Sequence, residues 1–425
     1  MHFQTKQIHS GYKKDDSTGA RVTPIYQSNA FYFNDSEHAK RLFSLEESGN
    51  IYSRLGNPTN AILESRIADM ENGAAALAVA SGHAAQLITV TTLAKQGDNI
   101  VTAPFLYGGT HNQFNVTFRN FGIDVRFTKD LGAKSFESLI DANTKAIYLE
   151  TIGNPSFRIP DFEKLVEVAN KYEIPVVVDN TFGAGGHFCR PIDYGAHIVL
   201  HSATKWIGGH GTSMGGIIID GGQFDWSNER FPLLNQPSPG YHGINFSETF
   251  GELAFTARAR AELLRDLGPV QSPFNSFMLL QGLETLSLRA QKQAENAKEL
   301  AQYLNKHEQV KDVCYPGLEN HPSHKEAQKY LENGYGAVLS FTVNGGAKSA
   351  SFIIDHLELA GHMANVGDNR TLVIQPAITT HQQLTPEQQK AAGVEAAQIR
   401  VSCGIEHSAD IINDFKNALF KLQSK

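Results

Sequence analysis

Between about residues 60 and 260 the chain alternates short apolar runs with amphipathic segments. The runs are "NIVTAP", "KAIYLE", "PVVVDN", "HIVLHS" and "GGIIID". They are continuous rather than alternating with polar residues, the pattern of parallel strands covered on both faces. Between two of them, "DFEKLVEVANKYEI" places Phe162, Leu165, Val166, Ala169 and Tyr172 on one helical face, with Asp161 as the expected cap. Strand, amphipathic helix and strand in succession predict an α/β layered domain with a mostly parallel sheet.

The pattern changes on either side. Residues 1–58 are polar and turn-rich, with "YSRLGNPT" at 52–59, and read as an extended arm. The α/β pattern then occupies 59–265. In the remainder, 266–425, "SPFNSFMLLQGLETLSLRAQKQAENAKELAQYLNKHE" predicts one or two long helices. Strands are expected at "KDVCYP", "GAVLSFTV", "TLVIQPA" and "QIRVSCGI", and helices at "AKSASFIIDHLE" and "SADIINDFKNALFKL", giving a smaller α+β domain. In "QIRVSCGI" the apolar Ile399, Val401, Cys403 and Ile405 share one face, and Arg400 and Ser402 the other.

Charge and cysteine usage narrow the function classes. The 425 residues carry 44 acidic and 37 basic groups, a net charge of −7. That balance argues against nucleic acid or an anionic membrane as partner, while leaving room for a local basic pocket. Cys189, Cys314 and Cys403 are far apart and form no C-x-x-C, so neither a disulfide framework nor a zinc knuckle is expected. The first residues, "MHFQTKQIHSGYKKDD", contain no apolar secretory segment, and no apolar run is long enough to span a bilayer. A cytoplasmic location is the expectation. His201 and His210 lack H-E-x-x-H or a cysteine partner, so no metal site is expected.

The candidate chemistry gathers where the apolar runs end. One run ends in "ASGHAA" (Ser81, Gly82, His83), another leads to "LYGGT" (Tyr107), and others give "LETIGNP" (Glu150, Asn154), "VVVDN" (Asp179) and "LHSATK" (Ser202, Thr204, Lys205). Open α/β sheets bind ligands outside the carboxyl ends of their strands. Singly, each residue has a plain reading: Asp179 as a turn cap, Ser202 and Thr204 as turn residues, Tyr107 as core, Lys205 as surface. One ligand accounts for them together, pyridoxal 5′-phosphate (PLP). A lysine amine forms a Schiff base with its aldehyde, and a carboxylate holds its ring nitrogen protonated. Hydroxyls and the amides of a helix start hold its phosphate, and an aromatic ring stacks on it. A Walker loop is excluded by order, since the glycines of "HSATKWIGGHG" follow Lys205, and no G-x-G-x-x-G follows a strand.

At this level of detail the chain resembles the Cys/Met-metabolism PLP-dependent family, and within it the sulfhydrylase branch. The motifs carrying the likeness are "ETIGNPS", "VVVDNTFGAGG", "HSATKWIGGHGTSMGG", "LRDLGPVQSPFNSFMLLQGLETLSLR", "ANVGDNRTLVIQPA" and "TTHQQLTPEQQKAAGV". The resemblance implies a type I PLP-dependent transferase fold, aspartate-aminotransferase-like. It implies γ-replacement on O-acetyl-L-homoserine by sulfide or methanethiol, in methionine biosynthesis. It makes Lys205 the Schiff-base lysine and proton shuttle, and Asp179 the partner of the ring nitrogen. Ser81, Gly82, His83, Ser202 and Thr204 would surround the phosphate, Tyr107 would stack on the ring, and Asn154 would touch the ring oxygen or the substrate. Tyr52 and Arg54 would reach the phosphate of a neighbouring subunit, within a homotetramer built from dimers. Arg400 would grip the substrate carboxylate, helped by Asn365 and Thr380. Gly109 after "YG", Asn365-Val366 and "FGAGG" at 182–186 set the chain apart from the lyases of the family. His83 and Ile378 depart from its usual residues. A sibling activity (cystathionine γ-synthase, methionine γ-lyase or O-acetylserine sulfhydrylase) stays open as an alternative, as does a non-catalytic PLP-binding protein.

Overall fold

The computed structural model describes residues 1–382, 385, 387, 389 and 393–423. Part of the "TTHQQLTPEQQKAAGV" motif therefore lies outside the described residues. All five apolar runs are strands of one seven-stranded sheet. Its strands are β1 (Ala75–Val79), β2 (Asn99–Thr102), β3 (Asp124–Phe127), β4 (Thr144–Glu150), β5 (Val176–Asp179), β6 (Ile198–Ser202) and β7 (Gly216–Asp220). Their spatial order is β1-β7-β6-β5-β4-β2-β3. From β6 through β3 every pairing is parallel. The "GGIIID" strand departs from the parallel expectation, since β7 runs antiparallel to both β6 and β1. The connection at 203–215 contains no helix to carry the chain across the sheet, so it turns back beside β6. Because β1 is antiparallel to β7, it points the same way as β4, β5 and β6. The carboxyl ends of these four strands thus emerge on one edge.

The helix expected after Asp161 spans Phe162–Lys171 and buries Phe162, Leu165, Val168 and Ala169. Val166 and Tyr172 pack against the same core from its margin. Asp161 does not cap it with its side chain. Its carboxylate instead accepts from the Tyr330 hydroxyl and pairs with Lys164 at 2.7 Å. The amino-terminal segment is less extended than its composition suggests. It contains α1 (Phe3–His9) and α2 (Ser36–Phe43), the latter capped by Asp35, whose side chain accepts from the His38 amide at 2.7 Å. Helix α1 is tied to α3 (Pro58–Met70) by Lys6, which pairs with Asp69 at 3.1 Å.

The stretch expected to form one or two long helices forms two, Pro273–Leu283 and Leu286–Leu304. Ala290 and Ala294 of the second lie in the core of the large sheet, and Leu300 and Leu304 in a second core. That second core lies on a five-stranded sheet of β8 (Val310–Cys314), β9 (Val338–Val343), β10 (Gly361–His362), β11 (Leu372–Ile374) and β12 (Gln398–Ser402), in the order β10-β11-β12-β9-β8. Helices Ala347–Asp355 and Ser408–Gln423 contribute Ile353, Ile411, Phe415 and Leu419 to it. Ile399, Val401 and Cys403 face that core as the alternation predicts, whereas Ile405 lies beyond the strand end and is exposed. The opposite face of β12 is not solvated either: Arg400 and Ser402 are buried. Arg400 looks toward the carboxyl edge of the large sheet.

Candidate active site

A cavity of about 280 Å³ opens at that edge, near the roughly 300 Å³ lower end of small-molecule sites. Ser81, Gly82, His83, Tyr107, Asn154, Asp179, Ser202, Thr204, Lys205, Asn365, Thr380 and Arg400 all line it. Residues more than 300 positions apart in sequence, from Ser81 to Arg400, therefore meet at one place.

Helix α4 (Gly82–Leu93) starts at the cavity. The Ser81 hydroxyl caps it by accepting from the Ala84 amide at 3.1 Å. The first-turn amides of Gly82 and His83 have no intrahelical partner and stand at the positive end of the helix dipole. A Cβ on Gly82 would lie 2.8 Å from the Ser202 Cβ and 3.0 Å from its Cα, so only glycine lets the helix start this close to β6. Gly82→Ala is expected to overpack this contact by about 1–3 kcal/mol and to weaken cofactor retention about tenfold without unfolding the chain. Equilibrium dialysis of PLP beside a thermal melt checks it; unchanged retention would show that the close approach is not what matters.

At the end of β5, four donors converge on the Asp179 carboxylate. Gln86 Nε2 is 3.3 Å and the Tyr148 hydroxyl 3.4 Å from Oδ2, while the amide and hydroxyl of Thr181 approach Oδ1 at 3.0 and 2.6 Å. Glu150 lies beside it, paired in register across β4 and β5. Burial, and then the nearby Asp179 charge, push the Glu150 carboxyl well above the usual range. Its two oxygens accept from the amides of Tyr107 at 2.7 Å and Asn154 at 3.1 Å. Glu150 thus joins the two loops that carry those residues.

Lys205 sits on the turn after β6, and its Nζ donates to Asn365 Oδ1 at 2.6 Å. Burial, and secondarily the positive charge of Arg400, bring its ammonium down to about 8. The neutral, nucleophilic amine is therefore reached at a lower pH than for an ordinary lysine. Arg400 is fully buried, and burial lowers its guanidinium to about 10. It donates to Asn154 Oδ1 at 3.3 Å and Asn365 O at 3.5 Å. No carboxylate pairs with it among the described residues. A buried guanidinium held only by neutral carbonyls suits an anionic ligand.

Thr204 departs from a simple phosphate role, because its hydroxyl exchanges hydrogen bonds with the backbone of Gly215 at 3.3 and 3.1 Å. The Tyr107 ring meets the His83 ring edge-on, centroids 6.0 Å apart. Tyr52 and Arg54 do not line the cavity. The Arg54 guanidinium lies 5.7 Å from the Tyr52 ring and donates to the Arg265 carbonyl. After Lys205, Gly209 and Gly211 both take φ of +68°, and a Cβ on Gly209 would overlap the Arg289 guanidinium. These glycines serve a tight turn and close packing. His201 is buried, its Nε2 2.5 Å from Glu71 Oε1.

Sequence reasoning missed Gln86, Tyr148 and Thr181, and left Glu150 without a role. Gln86 lies one helical turn after Gly82, and Tyr148 two residues before Glu150 on the same face of β4. Those spacings were the available signals. Thr181 has none, since only the fold around Asp179 gives it meaning.

The residues present fit PLP. A helix start and hydroxyls answer its phosphate, an acid at a strand end its ring nitrogen, and a lysine its aldehyde. Residues 4–420 match the family model described as Cys/Met metabolism PLP-dependent enzyme. The homocysteine/cysteine synthase of Kluyveromyces lactis is 56% identical over 428 residues, covering 98% of this chain and 96% of its own. The O-acetyl-L-homoserine sulfhydrylase 1 of Thermus thermophilus is 51% identical over 420 residues, covering 99% and 100%. A solved chain from Campylobacter jejuni superposes with a TM-score of 0.96 at 38% identity, covering 99% of this chain and 100% of that one. It is described as a candidate O-acetylhomoserine (thiol)-lyase carrying N′-pyridoxyl-lysine-5′-monophosphate at its position 205.

Proposed function

This chain belongs to the Cys/Met metabolism PLP-dependent enzymes, and on that premise we propose that it catalyses γ-replacement on O-acetyl-L-homoserine. Sulfide or methanethiol is the incoming group, L-homocysteine or methionine the product, and acetate the leaving group. The observation that carries this reading is the joint placement of Lys205, Asp179 and Arg400 around one cavity, beside full-length similarity to relatives bearing these names. A non-catalytic PLP carrier has no use for the buried Arg400.

Bound PLP supplies the aldehyde that captures the substrate amine and the ring that spreads negative charge from Cα. The rest falls to the protein. Arg400, with Asn154 and Asn365 around it, orients the substrate carboxylate and so sets which Cα bond faces Lys205. Lys205 Nζ takes the proton from Cα and returns it after the new bond forms. A second proton leaves Cβ, acetate departs from Cγ with the electron pair of the broken C–O bond, hydrosulfide adds at the same Cγ, and the steps then reverse so that Cβ and Cα each regain a proton. Asp179 would pair its carboxylate with the ring nitrogen, and Gln86, Tyr148 and Thr181 hold that carboxylate in place. Ser81, Gly82, His83 and Ser202 would enclose the phosphate, with Thr204 beside them but bonded through its hydroxyl to the Gly215 backbone, and Tyr107 would cover the ring. Tyr52 and Arg54 belong to the site of a neighbouring copy, in a tetramer built from dimers, with 1–58 as the arm, 59–265 as the cofactor-binding large domain and 266–425 as the C-terminal α+β domain. We assign the enzyme to the cytoplasm; among the described residues no helix is long and apolar enough to cross a membrane.

The name of the K. lactis relative favours a second reading, in which O-acetylserine is also a substrate. Sulfide-dependent acetate release from O-acetylhomoserine, O-acetylserine and O-succinylhomoserine separates the cases. The highest kcat/KM is expected for O-acetylhomoserine, with ping-pong kinetics. Equal or better use of cysteine with O-succinylhomoserine would overturn the assignment in favour of cystathionine synthesis. Keto acid and ammonia released without any thiol would indicate a lyase.

A further inference from the structure

Thr380 and Arg400 line the cavity together, and behind Thr380 lies His381, buried to 1% exposure. His381 Nδ1 is 2.9 Å from the Thr380 hydroxyl oxygen. Its Nε2 is buried and has no hydrogen-bond partner among the described residues. That nitrogen faces Gly108, where an added Cβ would stand 3.4 Å from it. Burial, and then the Arg400 charge, hold the imidazole down to about 4, so the ring is neutral and carries a single N–H. Either tautomer leaves Nε2 without a partner among the described residues, but a buried, unpaired N–H is the rarer arrangement, so the proton belongs on Nδ1, where Thr380 accepts it. Once Thr380 Oγ1 accepts from Nδ1, its own proton is free to point into the cavity.

We infer that His381 is a positioning residue that fixes the Thr380 hydroxyl as a donor to the substrate α-carboxylate, completing the clamp begun by Arg400. The inference rests on the reading of Arg400 as the carboxylate site. A hydroxyl whose proton is free to turn either way must first be ordered before it donates to an anion. One locked as a donor adds a charge-assisted hydrogen bond to a carboxylate oxygen and adds nothing to a ligand without that group.

The test titrates the PLP-loaded enzyme with L-norvaline, which has no leaving group at Cγ, and with n-butylamine, the same skeleton without the carboxylate. Binding is followed by cofactor absorbance, beside KM and kcat for O-acetylhomoserine. His381→Leu is expected to weaken norvaline and raise KM about tenfold, with kcat and butylamine affinity little changed. Thr380→Val should match it, and the double variant should be no worse than either single one. His381→Asn, whose amide N–H stands near the Nδ1 position, should restore most of the affinity. If His381→Leu gives no soluble protein, His381→Gln, whose amide reaches toward Nε2 instead, replaces it with the same expectation. Equal weakening of norvaline and butylamine would make His381 a packing residue and overturn the inference, as would a full His381 effect in the Thr380→Val background. A wild-type enzyme with no preference for norvaline over butylamine would overturn the Arg400 reading and this one with it.

Discussion

Lys205→Ala lowers kcat by at least about a thousandfold, because it removes both the covalent anchor and the proton carrier assigned to Cα. The purified variant loses the visible absorbance of the lysine-bound cofactor, although PLP still enters through the phosphate and ring contacts. Added primary amines recover part of the absorbance but little of the rate, since they lack a fixed position over the substrate. Retained absorbance with retained turnover would show that another amine does the work. The environment of Lys205 also sets a pH dependence. Its ammonium lies at about 8, below the ordinary lysine value, through burial and then the Arg400 charge. A lowered value means the neutral, reactive amine predominates above about pH 8 and is lost as pH falls below it. The rate at which the cofactor-free protein captures PLP therefore rises through that region and levels off, as stopped-flow absorbance would show. A flat profile between pH 6 and 9 would contradict it.

Arg400→Ala reduces kcat/KM for O-acetylhomoserine by about a hundred- to a thousandfold, corresponding to about 3–4 kcal/mol for a buried, charge-assisted carboxylate contact. Most of the loss appears in KM if the contact is equal in ground and transition states, and in kcat if it serves to aim the Cα bond. Arg400→Lys recovers only part, because an ammonium cannot present the planar two-donor fork. The same substitution has a second readout. Removing Arg400 deletes the positive charge that depresses Lys205, so the pH midpoint for PLP capture moves upward in Arg400→Ala. An unmoved midpoint would assign the Lys205 shift to burial alone. Loss of butylamine binding together with norvaline would point to a collapsed site rather than a lost clamp.

Much of the site was legible because its residues stand where the hydrophobic pattern stops. Asp179 and Lys205 follow unbroken apolar runs, and Gly82 opens a helix behind a serine cap. Arg400 declares itself by alternation, a charge between apolar neighbours on β12. What alternation cannot say is what the other face of that strand meets. Period alone places Arg400 opposite the apolar face and no more; the fold buries it against Asn154, on the loop after β4. Ile405 was lost for the converse reason, since the pattern continued past the point where β12 ends at Ser402. Asp161 stands at a helix start, but a nearby tyrosine and lysine took its carboxylate from the cap.

The chain's order of elements, its two cores and the polar residues that stand at the strand ends were set by local chemistry: periodicity, caps and strand ends, all short-range features. The direction of β7, the neighbours of Asp179 and the pairing of Thr380 with His381 were decided only in three dimensions. Each depends on which segments pack together across long stretches of sequence. The reversal of β7 turns β1 so that Ser81 and Gly82 emerge beside Ser202, and the folding back of β12 brings Arg400 to Lys205. Hydrogen bonds and charges act over a few ångströms. The local pattern could therefore nominate these groups, but only tertiary packing could bring them within reach of one another.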